Sequence, residues 1–529
     1  MPVLRRWLSS SPGTHAALTL LAGVVVPLRA AAHGFDERYD LPAPLGYFVA
    51  GAALTVALTF VIAALFMRRR PDAAAGDGAA GDRAPRDASA ADGTPSDAPS
   101  DRSIAFGPAL PVLRLLCRAL GLMTFAVVLG AALWGTADPL MNLAPTLVWI
   151  IWWIGLSLVV ACIGNVWPVL DPWRTLFDLL DTAARRLGRT HGMALHLPWP
   201  HALGAWPAVA LLLLWSGLEV VYPIATVPYR LGCAALLWSA LTLTGMLCFG
   251  REVWQRHGDV FAIYFDTLGR IAPLARGATA HTLTLRVPGA ALTGADHSLA
   301  VNSPRRTVET DMGETNPAGM SGFIIAMLST VLFDGLHGGQ AWLLLEQGLK
   351  HSVPQWVDVN GYFAGTVGLA GVWLIFFAAY RLTCVVTARV VSAASPVPWA
   401  QHFAFTLVPI AVAYNIAHNF SALLIQGQNA IALISDPFGW RWNLFGTANL
   451  RVNIGLIDAQ VTWCVAISAI LIGHVIAVWL AHRVALRETG SARRAALASL
   501  PLTLLMIAYT VISLLVIAEP MVRFDGAAG

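Results

Sequence analysis

Charged side chains make up only 12% of this 529-residue chain, against 57% apolar residues and a mean hydropathy of +0.64. So little charge excludes an ordinary soluble globular domain. Cysteine is equally scarce. The six present, Cys117, Cys162, Cys233, Cys248, Cys384 and Cys464, lie in or beside apolar runs with no C-x-x-C spacing, which excludes a disulfide framework or a zinc ribbon and leaves small buried hydrophobes. The chain also lacks H-x-H, H-E-x-x-H and G-x-S-x-G, and it has neither a P-loop nor a dinucleotide-binding glycine pattern at a strand-to-helix junction. Chemistry must therefore come from residues that the fold brings together.

What the chain has instead is long apolar runs. A hydrocarbon core needs roughly 20 mostly apolar residues per helical span, and ten runs meet that need, near 45–66, 113–134, 144–166, 204–221, 231–249, 318–345, 361–384, 402–425, 456–480 and 498–518. The expected fold is an all-α polytopic transmembrane bundle whose main partner is the lipid bilayer of the bacterial inner membrane.

Arg5 and Arg6 precede a short apolar stretch, 16–28, that ends in Ala30-Ala31-Ala32. That is the pattern of a cleavable secretory signal over residues 1–32. With a mature N-terminus outside, the loops expected inside carry twenty-five Lys and Arg and those expected outside carry six. The positive-inside rule then places both mature termini outside, and the net charge of +4 reflects topology rather than a nucleic-acid partner. The resulting division is a periplasmic start and first span over 33–66, a disordered cytoplasmic linker over 67–112 and spans two to five over 113–250. A cytoplasmic loop over 251–317 and spans six to ten over 318–529 complete it.

The linker is mostly Ala, Asp, Gly, Ser and Pro, too poor in large apolar side chains to offset the entropy of ordering. In the loop, "HTLTLRVPGAAL" (281–292) alternates enough to suggest a short strand or hairpin. Residues 168–203 have apolar side chains at helical spacing and an Arg-rich end, the pattern of an amphipathic helix on the inner membrane surface.

Against this apolar background, "AYNIAHNF" (413–420) places Asn415, His418 and Asn419 on one helical face, with Tyr414 one turn before His418. Asp334 and His337 in "LFDGLHGGQ" stand at i, i+3, the spacing by which helix bundles present a carboxylate and an imidazole to a metal. Glu219 in "WSGLEVVYP" and Asp458 in "GLIDAQ" reach a similar depth toward the outer side. Ionisable groups inside spans usually face the bundle interior or a water-filled cavity, so five of them from four helices predict an outward-facing polar cavity. Each alone also fits an interhelical contact, the reading that suits His474. If the signal is cleaved after Ala32, His33 offers an α-amino nitrogen and an imidazole together, a chelate for copper or zinc. The aromatic outer loop "SDPFGWRWNLFG" (435–446) could cover the cavity or anchor the interface.

Several longer stretches extend the reading, among them "AHGFDERYDLP" (32–42), "NLAPTLVWIIWWIGLSLV" (142–159), "GNVWPVLDPWRTLF" (164–177), "VLFDG" (331–335), "LLIQGQ" (423–428), "SDPFGWRWNLFGTA" (435–448) and "GHVIAVWLAHRVAL" (473–486). Through these the chain resembles, along nearly its whole length, bacterial integral membrane proteins known as fenitrothion hydrolases. Asp334 and His418 fall in stretches that resemble the family, whereas His337 and Asn415 depart from its wording. The resemblance implies hydrolysis of an organophosphate triester with release of a nitrophenol-type leaving group. On that reading a divalent transition metal, copper or zinc, activates water. Asp334 and His418 are the expected ligands, His337 and His33 additional ones, and Asp458 or Glu219 the general base. The rival is a transporter or metal-handling protein whose cavity binds an ion or small solute. A membrane subunit that scaffolds a partner is a third reading, and it has no need of interior polar residues.

Overall fold

The apolar runs fold as helices because hydrocarbon offers backbone N–H and C=O groups no partner except those within the helix itself. The computed structural model describes residues 44–67, 102–222, 227–277, 279, 281–293, 317–354, 358, 361–391 and 397–518. The expected signal, His33, most of the linker and the end of the 251–317 loop lie outside them.

Among the described residues, nine segments are long and apolar enough to cross a membrane, making this a helical, multi-pass membrane protein. They are α1 (Leu45–Phe66), α2 (Ala109–Trp134), α3 (Leu143–Cys162), α6 (Pro228–Phe249), α8 (Met320–His337), α10 (Tyr362–Val391), the segment Trp399–Ser435 with α11 (Val408–Ile425) at its centre, α12 (Ala459–Thr489) and α13 (Ala492–Ala518). The intervening helices are α4 (Pro172–Arg186), α5 (Trp206–Val220), α7 (Val260–Gly269) and α9 (Gln340–Ser352).

Three expectations change. The run 204–221 forms only α5, whose 15 residues rise about 22 Å, short of a full span. The run 318–345 is two helices, because Gly338 and Gly339 stop α8 at His337 before α9 starts at Gln340. The loop 251–317 is not wholly peripheral, since "VFAIYFDTLG" folds as α7 with eight of its ten residues buried, a helix too apolar on every side to stay in water.

The strand expected in "HTLTLRVPGAAL" is β3 (Thr282–Leu285), which pairs antiparallel with β2 (Leu274–Arg276) on one side and β1 (Arg102–Ala105) on the other. β1 and the start of α2 therefore lie within 67–112, where composition predicts an unordered linker. The ladder gives Arg102–Ala105 the backbone partners that its side chains cannot supply.

Two buried carboxylates organise the ends of α4 and α7. Asp171 caps α4 by accepting from Arg174 N at 3.0 Å and also accepts from Gln255 Nε2 at 2.8 Å. Asp259 caps α7 through Phe261 N and Ala262 N, at 3.0 and 3.1 Å. Burial pushes the Asp171 carboxyl up to about 6, against the lowering effect of the Arg174 backbone N–H and charge. Burial, reinforced by the charge of Asp171, pushes Asp259 up to about 7. Helix α4 has the amphipathic pattern its sequence predicts. It buries Trp173, Thr175 and Phe177, while Asp178 on its polar side pairs with Arg118 and Arg251.

The centre of the N-terminal half is aromatic. In α3, residues Thr146–Leu156 wind as a π-helix, an i→i+5 pattern that is rare beyond a single turn and concentrates at functional sites. Trp149 stacks on Trp215 of α5 at 4.7 Å between ring centroids, Trp153 stacks on Tyr264 of α7 at 4.7 Å, and Trp152 meets Phe261 edge-on at 4.7 Å. Beside this cluster lies an apolar cavity of about 640 Å³ lined by Phe125, Trp152, Trp173, Trp215, Trp238 and Leu423 among others.

Candidate functional site

Asp334 lies near the end of α8 and His418 in the second half of α11, two helices that run side by side. His418 Nε2 is 2.8 Å from Asp334 Oδ2. The His418 side chain is 11% exposed and that of Asp334 37%, so the pair is buried on the imidazole side and open on the carboxylate side. Gly335 makes this approach feasible. A Cβ there would come within 2.9 Å of Val516 Cγ1, 3.3 Å of the Tyr414 hydroxyl and 3.7 Å of His418 Cε1.

Glu219 of α5 is the third ionisable group. Trp153 Nε1 donates to its Oε2 at 3.1 Å, and its carboxylate lies within electrostatic reach of Asp334. Tyr264 of α7 reaches the same region, its hydroxyl facing Ser157 and Asn415 with Glu219 nearby. Tyr414 stacks beside His418 with centroids 6.4 Å apart. The Tyr414 hydroxyl and the Asn415 carboxamide oxygen are buried with no hydrogen-bond partner. The structure thus brings Asp334, His418, Glu219, Tyr414 and Asn415 to one polar region inside the helices.

The remaining candidates make other contacts. His337 sits at the end of α8 with its ring 5.5 Å from that of Phe333 and 5.6 Å from that of Trp342 on α9. The glycine break after His337 folds α9 back and brings Trp342 against the imidazole, which stays within electrostatic reach of Asp334. Asp458 is exposed and caps α12, its Oδ1 accepting from Val461 N at 2.7 Å. His474 lies wholly buried on α12, and its Nδ1 is 2.8 Å from Ile470 O. His33 lies outside the described residues. The aromatic loop after Ser435 is pinned to the α2–α3 turn, because Phe438 O accepts from Thr136 N and Pro437 O from Leu143 N.

Sequence patterns alone miss Trp153 and Tyr264. A signal for Trp153 is present in "WIIWWIG", whose crowded tryptophans exceed what a lipid-facing helix needs.

The donor set argues against a resident copper or zinc at this pair. Zinc takes three or four ligands, yet Asp334 and His418 are engaged with each other and the His337 ring packs against Phe333 and Trp342. Among the described residues, no group of three or more His, Cys, Asp or Glu side chains converges as a metal site. What the pair can do is acid–base chemistry. With Nε2–H donating to Asp334, Nδ1 of His418 carries the lone pair, and the carboxylate both orients the ring and stabilises the imidazolium.

Comparison of the chain with protein-family models, with characterised proteins and with solved structures finds no match.

Proposed function

We propose that this chain is an inner-membrane hydrolase of lipophilic organophosphate triesters, with its site toward the outer side and both mature termini outside. The observation that carries the proposal is the buried Asp334–His418 pair. His418 Nδ1 takes a proton from a water as that water attacks phosphorus. The bond from phosphorus to the aryloxy oxygen breaks, and the phenolate leaves with its electron pair. Asp334 holds the imidazolium until the proton is lost to solvent.

Two further features support a lipophilic substrate. The apolar cavity of about 640 Å³ suits an aromatic triester drawn from the membrane. Its wall residues Trp152 and Trp215 pack on Trp153, which holds Glu219, so the cavity and the polar region are separated by one aromatic layer.

The test is release of nitrophenolate from a lipophilic nitrophenyl triester by purified, detergent-solubilised protein, with and without added zinc, copper or manganese. Release that exceeds the detergent blank and is lost in His418→Gln supports the proposal. No release under any metal condition sinks it.

A second reading rests on the pairing of Glu219 with Asp334. Two carboxylates within electrostatic reach of each other give more negative charge than a single base requires, which suits a transporter that binds a cation or a small cationic solute. Uptake into vesicles that is lost in Glu219→Gln, without any triester turnover, would favour it.

A further inference from the structure

Five buried polar atoms of α11 and α12 have no hydrogen-bond partner among the described residues: the Tyr414 hydroxyl, Asn415 Oδ1, Trp463 Nε1, His474 Nε2 and His482 Nε2. The two imidazoles are wholly buried, and their tautomers follow from their other nitrogens. His474 Nδ1 sits 2.8 Å from the Ile470 carbonyl oxygen, which only accepts, so Nδ1 carries the proton. His482 Nδ1 sits 3.1 Å from Ser499 Oγ. The Ser499 hydroxyl already donates to Ala495 O at 2.8 Å, so this imidazole also donates from Nδ1. Both rings therefore present a bare Nε2 lone pair to the interior, where an unmet acceptor is costly.

Three of the hydroxyls beside them add acceptors, while those of Tyr414 and Ser513 have no partner among the described residues. Thr503 donates to Ser499 O at 2.9 Å, Thr510 to Met506 O at 2.8 Å and Tyr509 to Leu328 O at 3.1 Å. Each keeps only oxygen lone pairs for its neighbours. A buried row of acceptors calls for a small donor, and buried polar groups of this kind are ordinarily met by internal water.

These groups run in series along the bundle. From His418, Tyr414 is 6.4 Å away between ring centroids, Tyr509 a further 6.2 Å and His474 a further 5.8 Å. His482 follows His474 about 12 Å along α12 at 1.5 Å per residue, and the buried Thr503 stands one turn from Ser499 on the facing helix α13. Beyond His482, about 9 Å further along α12, Glu488 lies 3.3 Å from His402 Nδ1. Those two side chains are 19% and 26% exposed, and Asp334 opens the other end.

We propose that the interface of α11, α12 and α13 holds a file of internal waters that conducts protons between the Asp334–His418 pair and the His402–Glu488 pair, with His474 and His482 as its carriers. Each imidazole accepts a proton at Nε2 from the water on one side and releases the Nδ1 proton on reorientation, so no proton is created or consumed. The inference stands apart from triester hydrolysis, which needs no path across the bundle.

The experiment reconstitutes the full-length protein in liposomes that contain a pH-sensitive dye, with a potassium gradient and valinomycin supplying the driving potential. The expected result is dye acidification about tenfold faster than in protein-free vesicles, as befits intramembrane histidines that relay protons. It should fall to the protein-free rate in His474→Leu. Wild-type protein at the protein-free rate overturns the proposal. So does a folded His474→Leu variant that conducts as the wild type does. If His474→Leu fails to fold, His482→Gln is measured in its place and read by the same criterion. No triester is present, so a failure here leaves the hydrolysis reading untouched, and absent hydrolysis leaves this result untouched.

Discussion

His418 Nε2 and Asp334 Oδ2 meet at 2.8 Å across 84 positions of sequence, so the pair exists only once α8 and α11 have packed. If His418 is the base and Asp334 its orienting partner, the two act as one unit. Asp334→Asn and His418→Gln should each lower triester turnover by about 10²–10⁴-fold, and the double variant should be no worse than the poorer single one. Steady-state rates of the three purified variants check this, and fully multiplicative losses would refute a shared role.

Asp458 caps α12 at a position outside the proposed Asp334–His418 unit. Asp458→Ala should cost about 1 kcal/mol of stability through the lost bond to Val461 N and leave turnover unchanged. Thermal unfolding in detergent and the same rate assay read the two effects separately.

The crossing of α11 and α12 is set by Gly473, where a Cβ would fall 2.4 Å from Ala413 Cβ and 2.8 Å from Pro409 O. Gly473→Ala should therefore destabilise the protein by about 1–3 kcal/mol as the helices part. Because His474 and Tyr414 lie next to this crossing, proton conduction should fall in the same variant.

Asp171 and Asp259 make stability depend on pH. Their folded values are raised, to about 6 and about 7, above the ordinary 3.8 of the unfolded chain, so the folded state binds protons that the unfolded state releases. Their contribution favours folding at low pH and is lost as pH rises from about 4 through about 7. Asp259→Asn keeps a capping oxygen but removes the charge. It should stabilise the protein at pH 8 by about 1–3 kcal/mol and change little at pH 4. Melting curves across that range check the sign, and an equal effect at both ends would refute it.

Much of this architecture is legible in the chain because lipid imposes a simple rule of length and apolarity, and nine of the ten expected runs become helices of spanning length. The exceptions have local causes. Gly338 and Gly339 cut one run, and α5 stops at 15 residues. The pattern cannot foresee that α7, in an apparent loop, is drawn into the aromatic cluster by contacts with α3 and α5. At the site, the shared depth of Asp334, His418 and Glu219 is readable from helix position. Which of them touch is not, since rotation about each helix axis is fixed by packing. His337 is the instructive case. Its i, i+3 spacing keeps it within electrostatic reach of Asp334, but spacing says nothing of Trp342, which arrives from the next helix.

The packing of Trp149, Trp152, Trp153, Trp167, Trp173 and Trp215 at centroid separations of 4.7 to 6.2 Å has an optical consequence. Indoles this close share excitation, so they emit and rotate polarised light as one chromophore rather than as six. Four of these rings, Trp152, Trp167, Trp173 and Trp215, also line the apolar cavity. An electron-poor nitroaromatic lodged there would quench the whole group at once, giving the protein a built-in reporter of whether that cavity is filled.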